Sequence, residues 1–143
     1  MKNSNTFKLF LATALMSLLT VTSVLAQRHP GQGKGMPRYD PATEITVTGV
    51  IREVQQIGGA TKPTGTHLIL DTEAGAFDVR LGPSAFLAEN SFTLAKGDRI
   101  EVTGSKVRYG DADALIAREL KKDGKVLAMR DAKGRPAWSR RNR

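Results

Sequence analysis

The side chains that could do acid–base chemistry in this 143-residue chain are few and far apart. There are two histidines, His29 and His67, and no cysteine. Asp71 follows His67 on the same predicted strand face, but about 13 Å away at ~3.3 Å per residue, too far for a hydrogen bond. General acid–base catalysis needs groups within hydrogen-bonding reach, and no Gly-x-Ser-x-Gly, His-Glu-x-x-His or phosphate-loop motif is present. The sequence therefore predicts a protein that is not an enzyme and that uses no cofactor.

Polar side chains on two neighbouring predicted strands indicate a binding surface instead. In AFDVRLG, Phe77 and Val79 share one face with Leu81, and Asp78 and Arg80 share the other. An ordinary solvated strand face is the simpler interpretation, because alternation places polar residues outward in any half-exposed sheet. If the face is a site, the predicted ligand-binding residues are His67, Asp71, Asp78, Arg80, Arg108 and Tyr109.

Two metal sites are alternatives. If the chain is cleaved after Ala26, the new terminus Gln27-Arg28-His29 offers an amine, two amide nitrogens and an imidazole. That donor set suits square-planar Cu(II) or Ni(II), with Gln27 and His29 as the ligating residues. An N-terminal glutamine can also cyclise and block the amine. Asp111 and Asp113 could suggest calcium, but two aspartates in a turn are typical turn residues.

The first 26 residues have the pattern of a secretory signal peptide. Lys2 and Lys8 form a basic start, an apolar run diluted by Ser and Thr follows, and Val24-Leu25-Ala26 ends it. The run is short for a membrane-spanning helix, which needs about 20 mostly apolar residues. We expect cleavage after Ala26, no later transmembrane segment, and a periplasmic or extracellular monomer.

The formal net charge of +8 is concentrated at the ends of the chain. Residues 44–131 hold 12 basic and 13 acidic residues, so this part is nearly neutral. We expect a disordered leader over 27–43, one domain over 44–131 and a basic tail over 132–143, since like charges repel and resist packing. The tail residues predicted to give electrostatic adhesion are Lys133, Arg135, Arg140, Arg141 and Arg143.

Residues 44–131 alternate in the manner of β-strands. In EITVTGVIREVQQI the apolar phase slips after Ile51, which predicts a bulge or bend that Gly49 would ease. PSAFLAEN is long enough for a short helix, with Pro83 at its first position and Phe86 and Leu87 as its apolar contacts. The pair Asp123-Gly124 fits a two-residue hairpin turn.

The order of these elements predicts a mainly β fold. It is a single five-stranded OB-like Greek-key barrel with one short helix between strands 3 and 4 and a C-terminal hairpin extension. The helix would plug one end of the barrel. A small sandwich, or a roll with different strand pairing, is the alternative.

The runs ITVTGVI, HLILDTEAGAFDVRLGPSAFL, LAKGDRIEVTGS and ALIAREL resemble small exported bacterial OB-fold proteins. The layout is similar to the bacterial OB-fold (BOF) family, and to secreted OB-like proteins whose strands end RDAKGRPAW. The resemblance covers about Glu44 to Trp138. It implies a non-enzymatic envelope binder, with cell-wall or small cationic ligands in some members, and it supplies no catalytic motif.

Together these observations predict a non-catalytic, exported binding module of the bacterial cell envelope. Its ligand would be a cell-wall glycan or peptide, an envelope protein or a small molecule. A nucleic-acid-binding role is the alternative, because OB folds bind single strands with a basic groove and stacking aromatics. Only Tyr109, beside Arg108, is predicted to be an exposed aromatic near that face, so no stacking platform is expected.

Overall fold

A computed structural model describes residues 36–142 of the chain. Within this part the backbone forms a six-stranded sheet with one α-helix and two 3₁₀ helices. The elements in chain order are a 3₁₀ turn Pro41–Thr43, β1 Glu44–Ile57, β2 Gly65–Thr72, β3 Gly75–Pro83, α1 Ser84–Glu89, β4 Arg99–Tyr109, β5 Ala112–Lys122, β6 Lys125–Ala128 and a 3₁₀ helix Ala137–Asn142.

The sheet closes on itself as a five-stranded barrel. The strand order is β3-β2-β1-β4-β5-β6, with antiparallel neighbours, and β3 also pairs with β5 in parallel. That closing ladder joins Asp78–Arg80 to Ala114–Ile116. The predicted OB-like barrel is confirmed, and β6 is the predicted hairpin extension, reached through the turn at Asp123 and Gly124.

Strand β1 pairs with two neighbouring strands because it bends. Its first half pairs with β4 and its second half with β2, and the register shifts between Ile51 and Glu53. This confirms the predicted bulge. At Gly49 the strands approach so closely that a Cβ would collide with the backbone oxygen of Asp71. A side chain at this position would therefore open the bend.

Helix α1 plugs the barrel as predicted. Its Phe86 and Leu87 are buried in the core with Phe77 and Phe92. Pro83 stands one residue earlier than predicted, as the N-cap that also ends β3. The other members of this core are mainly Leu, Ile and Val from all five barrel strands, and the most deeply buried are Ile51, Leu68, Leu70, Val79, Leu81, Ile100, Val102, Leu115 and Leu120.

The end of the predicted leader is ordered against the barrel. The Tyr39 hydroxyl donates to the Glu44 carboxylate, which also accepts from Arg118 Nε at 2.8 Å and Nη2 at 3.0 Å. The backbone N–H of Asp40 donates to Ser105 Oγ at 3.0 Å. These partly buried contacts hold Tyr39–Thr43, the end of the segment predicted to be disordered, against the barrel.

The predicted tail also packs on the barrel in its first part. Trp138 lies 5.6 Å from the Phe86 ring and 5.0 Å from the Arg130 guanidinium, measured to ring centroids. It occupies the space beside Gly82, where a Cβ would collide with the indole. Residues beyond the boundary predicted at Asp131 thus contact the barrel. Among residues 36–142, no helix is long and apolar enough to cross a bilayer.

The contact between Gly82 and Trp138 predicts a coupled pair of substitutions. Gly82→Ala should lower the free energy of unfolding for two reasons. Backbone strain at φ +143° contributes about 1–3 kcal/mol, and overpacking against the indole contributes about 1–3 kcal/mol more. Gly75→Ala, at φ +112° with open space around it, should lower the free energy of unfolding by the backbone strain alone. Urea unfolding of both variants measures the difference.

Trp138→Ala supplies the control for this pair. Adding Gly82→Ala to Trp138→Ala should cost less than adding it to the unaltered chain, because the collision is gone. Strictly additive losses in the two backgrounds would show that Trp138 does not pack at this position.

Candidate binding site

Residues from four strands come together on the outer face of the barrel, around the ladder where β3 pairs with β5. One row across the strands reads Ile69, Asp78, Ala114 and Val107 on β2, β3, β5 and β4. The next row reads His67, Arg80, Ile116 and Ser105. Side chains at these positions lie on one face because the strand period is two. The polar half of the face is thus on β2 and β3, and the apolar half on β4 and β5.

Four of the predicted ligand-binding residues form one group, which we call the Asp78 cluster: His67, Asp78, Arg80 and Tyr109. His67 Nδ1 lies 3.5 Å from Asp78 Oδ1, and Arg80 Nη2 lies 3.7 Å from Asp78 Oδ2. The Arg80 guanidinium stacks 3.8 Å from the centroid of the Tyr109 ring. The side chain of His67 is 19% exposed, that of Asp78 is 31% exposed and that of Arg80 is 16% exposed.

The charged contacts within the Asp78 cluster are longer than hydrogen bonds. Charge-assisted N–H···O bonds are typically 2.7–2.9 Å, and both distances to Asp78 exceed that range. Asp78 Oδ1 and Arg80 Nε are buried and have no hydrogen-bond partner among the described residues. The cluster therefore holds one acceptor and one donor that its own side chains leave unsatisfied.

The electrostatics of the cluster favour a neutral imidazole. Burial is the main cause that lowers the pKa of His67 below its usual value of about 6.5. The carboxylate of Asp78 acts in the opposite direction, and the positive charge of Arg80 lowers the pKa further. At neutral pH the cluster thus carries one negative charge, one positive charge and an uncharged histidine.

The path of the Arg80 side chain explains why Ala114 is buried on the outer face of β5. Its backbone pairs with Ile116, whereas Tyr109 pairs with Ala112, further back along β5. The guanidinium can reach the Tyr109 ring only by lying back along the outer face, over the position of Ala114. Ala114 is fully buried, in a second apolar cluster with Val107 and Ile116 against which Tyr39 packs.

Two of the predicted ligand-binding residues lie outside the Asp78 cluster. Asp71 is on the outer face, but it forms an ion pair with Arg52, whose Nε donates to Asp71 Oδ2 at 2.9 Å. Arg108 precedes Tyr109 on β4 and so points to the opposite face, where its Nη2 donates to the Asp111 carbonyl at 3.3 Å. Neither joins the Asp78 cluster.

The other predicted site residues are placed only in part. Lys133 is exposed, and Arg135 forms an ion pair with Asp131 at 2.8 Å. Asp131 has a pKa of about 2, lowered chiefly by the backbone N–H of Arg135. The predicted metal ligands Gln27 and His29, together with Arg143, lie outside the described residues, as do the side chains of Arg140 and Arg141.

A second concavity was not predicted from the sequence. It is an open groove of about 520 Å³ between the bend of β1, the β2–β3 turn and the start of β4. Val50, which is 39% exposed, lies on its apolar part, and Arg99 and Asp71 contribute charge. An outward-facing valine that follows Thr46 and Thr48 on the same face of β1 is the only signal that alternation gives for it.

The Asp78 cluster consists of fixed polar groups and one aromatic ring. In the described part of the chain, no group of three or more His, Cys, Asp or Glu residues is arranged to hold a metal ion. The Asp78 cluster instead presents fixed donors, acceptors and an aromatic ring on a rigid sheet. Fold and site together define a small β-barrel protein with a cluster of charged and aromatic side chains on one outer face.

The family of the chain is shown by comparison with known proteins. The model of the MamS/MamX magnetosome protein family matches residues 43–127, and the chain belongs to this family. It is 24% identical over 149 aligned residues to the magnetosome protein MamS of Paramagnetospirillum magneticum, covering 90% of this chain and 83% of that protein. It is 26% identical over 120 residues to MamS of Magnetospirillum gryphiswaldense, covering 82% and 67%.

This finding corrects the function predicted from the sequence. The predicted general envelope-binding module is wrong, and so is its nucleic-acid alternative, because the family and both relatives are magnetosome proteins. The Cu(II) or Ni(II) site at Gln27 and His29 stays a prediction. Neither the family description nor the relatives' names state an enzymatic activity. The likeness to the BOF family stays a prediction.

The charges around His67 predict opposite pKa changes in two variants. Asp78→Asn should lower the pKa of His67 further, because it removes the negative charge that favours the imidazolium. Arg80→Gln should raise it, because it removes a nearby positive charge. An NMR pH titration of the histidine ring protons measures both, with His29 as the internal reference. A His67 pKa that is equal in all three proteins would show that the cluster does not form.

Proposed function

We propose that the chain is a non-catalytic module that binds another protein at the magnetosome through the Asp78 cluster. The observation that carries this proposal is the family match over residues 43–127. That range contains all five barrel strands and every residue of the Asp78 cluster. The relatives are magnetosome proteins by name.

The composition of the cluster supports a protein as the ligand. Arg and Tyr are among the residues that contribute most to protein–protein binding energy. Tyr109 is 48% exposed and lies against the Arg80 guanidinium, so both present preorganised surface to a partner. A non-catalytic role fits because His67 has a single carboxylate neighbour at 3.5 Å and is not aligned with a nucleophile.

We also propose that the protein is exported and acts on the non-cytoplasmic side of a membrane. The support is the signal-peptide pattern of residues 1–26 and the position of the barrel after it in the chain. A barrel delivered in this way would meet partners that are exported or that expose a domain on the same side.

Loss of the cluster should release the protein from magnetosomes. In a magnetosome-forming bacterium that carries the gene, the double variant Arg80→Ala/Tyr109→Ala should reduce co-isolation of a tagged protein at least about fivefold. This corresponds to about 1 kcal/mol of binding free energy, the usual threshold for an important contact residue. Quantitative immunoblots of purified magnetosomes measure it.

Arg52→Ala is the matched control for the double variant. It removes an exposed arginine of the outer face that pairs with Asp71 and lies outside the Asp78 cluster. Co-isolation of the control should equal that of the unaltered protein. Equal co-isolation of all three proteins, with thermal unfolding unchanged, would overturn the proposed role of the cluster, and absence of the unaltered protein from magnetosomes would overturn the proposed location.

Export predicts a defined mature terminus. The purified protein should begin at Gln27, as intact-mass spectrometry would show. Ala26→Phe should block cleavage, because the position before the cut needs a small side chain, whereas Thr22→Phe should leave cleavage intact. A protein of full-length mass in the unaltered form would contradict the proposed export.

A further inference from the structure

The Asp78 cluster buries more charge than its own contacts satisfy. Asp78 Oδ1 and Arg80 Nε both lack a hydrogen-bond partner in the described part of the chain. Leaving one such group unpaired costs about 1–3 kcal/mol, and more for a charged group. Folded proteins usually complete such groups with water or with a ligand. Both atoms are themselves buried, so they indicate the polarity of the missing partner, which approaches through the exposed parts of the two side chains, 31% for Asp78 and 16% for Arg80.

The net charge of the cluster discriminates between ligand classes. Asp78 and Arg80 carry opposite charges 3.7 Å apart, and His67 is neutral because burial lowers its pKa. An anion placed on Arg80 would meet the carboxylate of Asp78, and a cation placed on Asp78 would meet the guanidinium. A neutral group that has both a donor and an acceptor avoids either repulsion.

A metal ion fits the cluster less well than a neutral polar group. His67 and Asp78 would supply two ligands, and the described residues contain no third His, Cys, Asp or Glu arranged with them. The guanidinium of Arg80, held against Tyr109 at 3.8 Å, would repel a divalent ion at the same carboxylate.

We propose that the Asp78 cluster binds a neutral amide group of a partner polypeptide. The amide N–H donates to the Asp78 carboxylate, and the amide carbonyl accepts from the Arg80 guanidinium. The exposed part of the Tyr109 ring and the side chain of Ile69 provide apolar contact beside these bonds. This inference deepens the proposed function and rests on it in one respect, namely that the amide belongs to a protein.

Acetamide and acetate test the proposal with the smallest matched probes. Acetamide is a neutral primary amide, and acetate is an anion of the same shape. Titrating acetamide into the ¹⁵N-labelled protein should shift the backbone amide signals of Asp78, Arg80 and Tyr109 in ¹H–¹⁵N spectra. Acetate should shift them far less at equal concentration.

Variants identify the two hydrogen bonds. Asp78→Asn and Arg80→Gln should each reduce the initial slope of the acetamide shifts about tenfold, the usual loss for one hydrogen bond to a charged group. Asp71→Asn changes a carboxylate on the same outer face that pairs with Arg52, so it should leave the slope unchanged. Dispersed spectra of every variant show that the fold is retained.

Three results would overturn the amide site. Larger shifts with acetate than with acetamide would make it an anion site. Selective broadening of the His67 and Asp78 signals by Mn²⁺ at concentrations below those of acetamide would make it a cation site. No shift of cluster signals with acetamide would show that water alone completes the unpaired atoms.

The titration and the co-isolation experiment can fail separately. The titration uses purified protein and needs no magnetosome, so a failed titration beside successful co-isolation rejects the amide ligand and keeps the location. A successful titration beside failed co-isolation rejects the magnetosome role and keeps an amide-binding surface.

Discussion

Closure of the barrel depends on a short parallel ladder between β3 and β5, completed by one partly buried arginine. The ladder spans only Asp78–Arg80 and Ala114–Ile116. Directly beyond it, the guanidinium of Arg130 donates to the carbonyls of Leu81, at 3.0 Å, and Ala117. Burial lowers the pKa of Arg130 to about 10, so it stays charged at neutral pH and can bridge both strands. The indole of Trp138 shields this bridge from water, which makes the C-terminal segment part of the barrel.

The candidate site exists because of this closure. β3 and β5 are distant in sequence, and the parallel ladder alone brings Asp78 beside Ala114 and Arg80 beside Ile116. The Tyr109 ring then lies within reach of the Arg80 guanidinium. Asp78 and Arg80 therefore lie on one of the two strands that close the barrel, and the same ladder that closes it fixes their positions in the cluster.

Alternation and turn chemistry were sufficient to predict most of the fold. The phase slip after Ile51 located the bulge, Asp123-Gly124 located the hairpin, and Phe86 and Leu87 located the plug. Local signals failed at the ends of the chain. Tyr39 and Trp138 stand in segments rich in Gly, Pro and Arg, where a single aromatic anchor has no periodicity to reveal it.

The site was predictable only as far as strand faces could be assigned. His67, Asp78 and Arg80 followed from alternation, but their mutual distances depend on the register between strands. Arg108 and Tyr109 are sequence neighbours, so the period of two already excludes that both lie on one face. The partner of Asp71 could not be foreseen, because the bulge in β1 decides where Arg52 points.

The burial of β5 on both faces has a consequence for the unfolded chain. Ala114, Leu115, Ile116 and Ala117 form an uninterrupted apolar run that is at most 8% exposed in the barrel. Such a run, once released, can pair edge to edge with another copy and start aggregation. Asp113 and Arg118 flank it and are neutralised by Lys106 and Glu44 in the folded state. When the barrel opens, those two charges become free at the ends of the run and act as gatekeepers against misassembly.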